Sequence, residues 1–165
     1  MTIQIYIDTY TWAKIDYLSE ENIIQTEILT NIAKVGNICI TPEIQEEIEY
    51  FQITSWNNRK TFVIPVQNEE IYRRVQNDGF DAADASLIAN LNTESAIGIT
   101  EDRPLLKYAV LNHYDILFLV DFLKRLVQLQ IMKKNEFYRI NKALYQVRNI
   151  KKSHFEKNKL FAQRF

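Results

Sequence analysis

Ile3, Ile5 and Ile7 alternate with Gln4 and Tyr6, and this period of two predicts a strand over residues 2–7. A short helical stretch follows near Thr11–Leu18. Ile23, Ile24, Ile28 and Ile32 then recur at helical spacing in a second helix over about Glu20–Lys34, with Gly36 suited to its C-terminal cap. NICIT, residues 37–41, reads as a second strand, and Thr41-Pro42 offers an N-cap and a first-turn proline to the next helix. TFVIPV (61–66) predicts a third strand and residues Glu69–Gln76 a helix. AIGIT (96–100) and DILFLV (115–120) predict the fourth and fifth strands, with a helix opened by Pro104 between them. Everything from Asp121 onward reads as helical. Strands alternating with helices imply an α/β fold, a parallel sheet of about five strands covered on both faces. Such sheets take their ligands beyond the carboxyl ends of the strands, near a topological switch point.

One helix breaks its own pattern. In DGFDAADASLIANL, residues 78–91, about 100° per residue puts Leu87, Leu91, Ile88 and Ala85 on one apolar face. Asp84 falls inside that face, between Leu91 and Ile88. Burying an unpaired carboxylate costs several kcal/mol, so Asp84 calls for a partner, and an acid pointing into a core wants a cation. Asp81 opens the same helix and reads as a cap, the first acid of a local Asp-x-x-Asp device.

Composition narrows the choices. The 165 residues suit a single domain, and 47% hydrophobic with 25% charged is the balance of a globular chain. The apolar runs are short and interrupted by charge, which predicts no membrane span, and the N-terminus lacks the pattern of a secretory signal. A single cysteine, Cys39, excludes an intrachain disulfide and points to a cytoplasmic location. His113 and His154 have no nearby nitrogen or sulfur ligand in sequence, which argues against a zinc site or a nucleophile–histidine triad. The net charge of −1 conceals a split: residues 1–132 carry 10 basic against 19 acidic side chains, residues 133–165 carry 10 against 2. A basic helical extension on an acidic body is an electrostatic footprint for nucleic acid, or simply a solvated pair of Lys-rich helices.

The acids carry the chemistry. Asp8 directly follows the first strand and Asp102 the fourth, so both sit on the ligand edge of the sheet, although each also suits a helix N-cap. In TPEIQEEIEYF, Ile44, Ile48 and Phe51 mark the inner face of a helix and Glu47 lies beside it, while Glu46 and Glu49 point to solvent. Glu43 suits the first turn of that helix. Asp8, Glu47, Asp84 and Asp102 come from four elements and would meet in one pocket. Clustered carboxylates push one another to protonate unless a cation neutralises them. Oxygen-only ligands select Mg²⁺ or Mn²⁺, which activate water and clamp a phosphate.

The matching pieces IYIDT, ITPEIQEEI, the DASLIA helix and IGITEDRPLL resemble the PIN-domain nucleases, most of all the small prokaryotic, toxin-type branch. Order and approximate spacing agree over roughly residues 2–125, and the helical tail resembles that branch's extended C-terminus. The resemblance implies a three-layer α/β/α sandwich with a sheet of order 3-2-1-4-5 and a divalent-metal-dependent endoribonuclease. It implies Asp8, Glu47, Asp84 and Asp102 as an acidic quartet, with Thr100 and Thr9 as accompanying hydroxyls. Asp81 is an additional acid, and Tyr10 stands where the family commonly has a small polar residue. Arg103, Arg73, Arg74 and the tail lysines are candidate phosphate contacts. Trp12, Trp56 and Tyr10 are candidate stacking platforms, with burial or a dimer interface the commoner role for such aromatics. RNA, a small antitoxin protein and a second copy of the chain are the partners that follow. The competing readings are a non-cleaving RNA-binding or regulatory module that keeps the acidic pocket, and a receiver-like domain. The latter wants a lysine at a late strand end, and DILFLVDF offers none.

Overall fold

Strand β1 (Ile3–Ile7) runs through the middle of the molecule because three of its five residues are buried and neither face meets water for long. The computed structural model describes residues 2–18, 22–58, 60–146 and 152–164. β1 pairs in parallel with β2 (Gly36–Ile40) on one side and β4 (Ala96–Ile99) on the other, aligning Ile5 with both Ile38 and Ile97. β3 (Phe62–Val63) adds to β2 and β5 (Ile116–Leu117) adds to β4. The sheet is wholly parallel, in the order β3-β2-β1-β4-β5. This is the order that the sequence resemblance implies, and it reverses beside β1.

The connections are helical, as parallel strands require. α1 (Thr9–Tyr17) and α2 (Asn22–Ala33) join β1 to β2, and α3 (Pro42–Tyr50) leads by way of a single 3-10 turn to β3. α4 (Glu69–Asn77) and α5 (Ala82–Asn90) precede β4, and α6 (Arg103–Leu111) precedes β5. α7 (Leu119–Gln128), α8 (Lys134–Gln146) and α9 (Lys152–Arg164) complete the chain. α5 packs on β1 and β4 with α3 and α4 against it, while α2 packs on β2 and gathers α7 and α8. Helices flank the sheet in a three-layer α/β/α sandwich. Among the described residues no helix is long and apolar enough to cross a membrane.

Several boundaries differ from the sequence reading, each for a physical reason. The third strand is shorter than TFVIPV because Ile64 N–H still bonds Ile40 O (2.8 Å) but Pro65 has no N–H to continue the ladder. The fifth strand stops at Leu117, and Leu119 and Val120 already belong to α7. Leu119, Phe122, Leu123, Leu126 and Val127 are all buried, a period near 3.6 that claims the end of the apolar run for the helix. Gly36 does not cap α2 but begins β2. A Cβ there would lie 2.1 Å from the backbone oxygen of Ile3, so only glycine lets the two strands close. Phe51, read as an inner-face residue, is the C-cap of α3 and is largely exposed. The predicted start of the second helix at Glu20 and Glu21 lies outside the described residues, as does the side chain of Ile23.

Candidate functional site

Asp8 leaves the sheet where β1 ends, its N–H held by Ile99 O (3.1 Å) of the neighbouring strand. Its Oδ1 accepts from the Thr11 N–H (2.7 Å) and caps α1. Its Oδ2 accepts from the Thr100 hydroxyl, and that hydroxyl in turn accepts from the Asp102 N–H (3.0 Å). Asp102 Oδ1 caps α6 through the Leu105 N–H (2.8 Å). Both acids therefore perform the ordinary capping role that the sequence allowed, and Thr100 ties them to each other at adjacent strand ends. Among the described residues Asp102 Oδ2 receives no hydrogen bond.

Three further acids come from α3 and from the start of α5. Glu47, midway along α3, accepts from the Thr9 hydroxyl at the start of α1. The α3 register against α5 is set by a buried hydroxyl pair, Thr41 and Ser86, 2.6 Å apart, with Thr41 also capping α3. Asp81 caps α5 through the Asp84 N–H (2.9 Å), as its place at the helix start suggested. That leaves the Asp84 carboxylate in the first turn of a helix otherwise buried from Ala83 to Asn90.

These side chains face one another. A cleft of about 250 Å³ is lined by Asp8, Thr9, Tyr10, Ile44, Glu47, Phe51, Asp81, Ala83, Asp84 and Asp102. Burial pushes the Asp84 carboxyl up to about 8, and the negative charges of Asp81, Asp8, Asp102 and Glu47 add to that rise. Burial also pushes Asp8 up to about 6, against the pull of its hydrogen bonds from Thr100 and Thr11, with Glu101 adding a smaller rise. Asp84 thus meets carboxylates where it needs a cation. Among the described residues no lysine, arginine or hydrogen-bond donor satisfies its carboxylate.

The donor set is hard: carboxylate oxygens, with threonine hydroxyls close behind them. Cys39 is buried in β2 with its thiol pushed up to about 11, so it offers no thiolate. Among the described residues no three acidic, histidine or cysteine side chains close into a metal cage. An open group of acids suits a hydrated Mg²⁺ or Mn²⁺, which keeps several waters and takes one or two carboxylates with substrate phosphate completing the shell.

Other expected contributors stand elsewhere. Thr100 is fully buried beneath Asp8 rather than on the cleft wall. Arg103 is the first residue of α6, exposed, and is not part of the cleft lining. Arg73 pairs with Glu69 (3.6 Å) on the surface of α4, and Arg74 donates to the Tyr114 hydroxyl (2.9 Å). Trp12 is wholly buried in the core and cannot serve as a stacking platform, and Trp56 is half-buried against that core. Tyr10 is exposed on the cleft rim.

Sequence reasoning missed Glu101 and Phe51. The Glu101 carboxylate takes Lys14 Nζ (2.9 Å) with one oxygen and the Leu119 N–H (3.0 Å) with the other. It supplies the cap that Phe118 lacks and binds α1 and α7 to the loop carrying Asp102. Its place beside Asp102 was the available signal, but nothing local revealed its distant partners. Compared with protein families, curated proteins and solved structures, the chain matches none.

Proposed function

We propose that this chain is a divalent-metal-dependent endoribonuclease of the PIN type, hydrolysing RNA phosphodiesters in the acidic cleft. The observation that carries the reading is Asp84, which shares the cleft with Asp8, Asp102, Glu47 and Asp81 and, among the described residues, has no protein cation beside it. Ionised together at half-buried positions these acids repel one another, and a bound cation would relieve that repulsion. Asp8, Asp84 and Asp102 would hold that cation, with Glu47 holding a second or orienting water. Bound there, Mg²⁺ or Mn²⁺ lowers the pKa of water and neutralises charge on the phosphate.

The chain's own groups prepare the site. Thr100 fixes the Asp8 carboxylate by donating to one oxygen, and its acceptance from the Asp102 N–H sets the spacing of the two strand ends. Thr9 fixes Glu47 in the same way from the opposite wall. Among the described residues no histidine lines the cleft, and the proposed chemistry requires none, because the metal would lower the pKa of its bound water. Asp84, at about 8, is the group whose proton must leave when a cation binds.

The same proposal includes RNA as the bound partner, a small antitoxin protein and a second copy of the chain as protein partners, and a cytoplasmic location. It is supported by the sequence resemblance, the basic C-terminal extension and the single buried cysteine. The alternative is a module that keeps the acidic cleft and binds RNA without cutting it. Incubating an RNA substrate with wild type and Asp8→Asn, with Mg²⁺ or Mn²⁺ and with chelator, separates the two. Cleavage by wild type alone, abolished by chelator, is expected. Binding with no cleavage under either metal transfers the proposal to the non-cleaving module.

A further inference from the structure

Exposed aromatic rings are unevenly placed on this molecule. Among the described residues five large aromatic side chains are exposed: Tyr10, Tyr17, Tyr50, Phe51 and Tyr138. Four of them belong to α1 or to the end of α3, the two helices that flank the acidic cleft, and only Tyr138 stands apart, on α8. Single exposed hydrophobics are normal on a protein surface. Tyr17 lies at the far end of α1, whereas Tyr10, Tyr50 and Phe51 line the cleft or the groove adjoining it. Exposed rings gathered at one cleft mark a binding site.

Two of these rings line the cleft itself. Tyr10, the second residue of α1, is 63% exposed, and Phe51, the C-cap of α3, is 62% exposed. Phe51 is also held in orientation. Its ring meets that of Tyr50 edge to face, with centroids 5.1 Å apart and planes at 84°. Both Tyr50 and Phe51 also line the adjoining groove with Glu43, Glu46 and Asp81, so the aromatic rim is continuous with the acidic floor.

The combination selects its occupant. A purely apolar ligand would cover Asp8, Asp84, Asp102 and Glu47 and leave their desolvated charge unanswered. A nucleotide divides correctly between the two surfaces. Its base offers a flat face to a ring with no charge requirement, while its phosphate approaches the acids together with their cation. Resting on the ribonuclease reading, the geometry points to Tyr10 and Phe51 as the stacking residues for unpaired nucleobases flanking the phosphodiester that lies over the acids. Tyr50 is a positioning residue for Phe51.

The test uses the intact chain with Ca²⁺ replacing Mg²⁺ and a mixed-sequence single-stranded oligoribonucleotide carrying 2-aminopurine, whose fluorescence falls when its ring stacks. Wild type should bind and quench the probe. Tyr10→Leu and Phe51→Leu keep apolar bulk but lose the π face, and each should weaken binding by about tenfold and restore fluorescence. Tyr10→Phe should behave as wild type. Leucine variants that bind and quench like wild type overturn the assignment. So does ring-dependent binding of an arginine-rich peptide by a chain that ignores the oligonucleotide, which would make the rim a protein interface. A chain that stacks the probe but never cuts RNA with Mg²⁺ keeps this assignment and loses hydrolysis; one that cuts without ring-dependent quenching does the reverse.

Discussion

Asp84 concentrates the physics of the site in one side chain. Its carboxyl is raised from an ordinary 3.8 to about 8, first by burial and then by four acidic neighbours. In the unfolded chain those neighbours disperse and the group ionises freely. The folded state therefore holds this proton over a range in which the unfolded state releases it. The stability that Asp84 contributes is complete below about pH 4 and drains away as pH rises towards 8. Asp84→Asn removes the loss. Without metal, its melting temperature should equal that of wild type near pH 4 and exceed it at pH 8 by a few degrees, the shift that ~1–2 kcal/mol produces at this length. Adding Mg²⁺ at pH 8 should reverse the order, because wild type offers the cation one more carboxylate than the variant does and so binds it more tightly. Parallel pH profiles for the two proteins would remove Asp84 from the site. The sequence revealed this residue because an acid on an apolar stripe is a local contradiction. Asp8 and Asp102 were legible from their strand ends. Glu101 and Ser86 were not, since their partners Lys14, Leu119 and Thr41 are set by packing between elements distant in the chain.

At the scale of elements, the strong periods were readable and the short apolar runs were not. β1, α3 and α5 follow from period and capping residues that sit where the chain's own chemistry needs them. DILFLV is ambiguous by nature, because six apolar-rich residues suit either a buried strand or the start of a buried helix. What decides it lies outside the run: Asp115 O and Leu117 O accept from the Gly98 and Thr100 N–H groups, and Glu101 then takes the Leu119 N–H. The third strand is likewise completed from afar. Asn90, at the end of α5, donates to Ile64 O and Pro65 O and accepts from the Gln67 N–H, replacing the ladder that Pro65 ends. The two sheet glycines allow a graded test. A Cβ on Gly36 meets backbone, the Ile3 oxygen at 2.1 Å, whereas one on Gly98 meets side chains of Ile116 and Leu91 at 2.9 Å. Side chains can shift and a paired strand cannot. Gly36→Ala should cost more than about 2 kcal/mol and Gly98→Ala less, compared by denaturant midpoint. Equal losses would mean that β1 and β2 are not held at this register.

The whole molecule divides its charge along the chain, and the fold decides what that division can do. The 33 residues from Lys133 hold half of the 20 lysines and arginines. Their helix α8 is not a loose tail, since Phe137, Ile140, Ala143 and Leu144 are buried and α8 packs on α2 and α7. One of its cations, Arg139, is engaged with Glu27 of α2. Lys142, Lys134 and, on α9, Lys157 are exposed and make no ion pair among the described residues. Deleting the extension would strip the core and confuse unfolding with lost binding, so charge must be removed in place. If the extension holds RNA phosphates while the cleft holds the reacting one, Lys134→Gln, Lys142→Gln and Lys157→Gln together should leave the melting temperature unchanged. The same triple variant should flatten the plot of log affinity against log salt by up to about 2, at roughly 0.7 per released single-strand contact. Cleavage of a dinucleotide too short to reach the extension should be unaffected. An unaltered salt slope would mean that these lysines serve only to keep a surface helix hydrated and touch no phosphate.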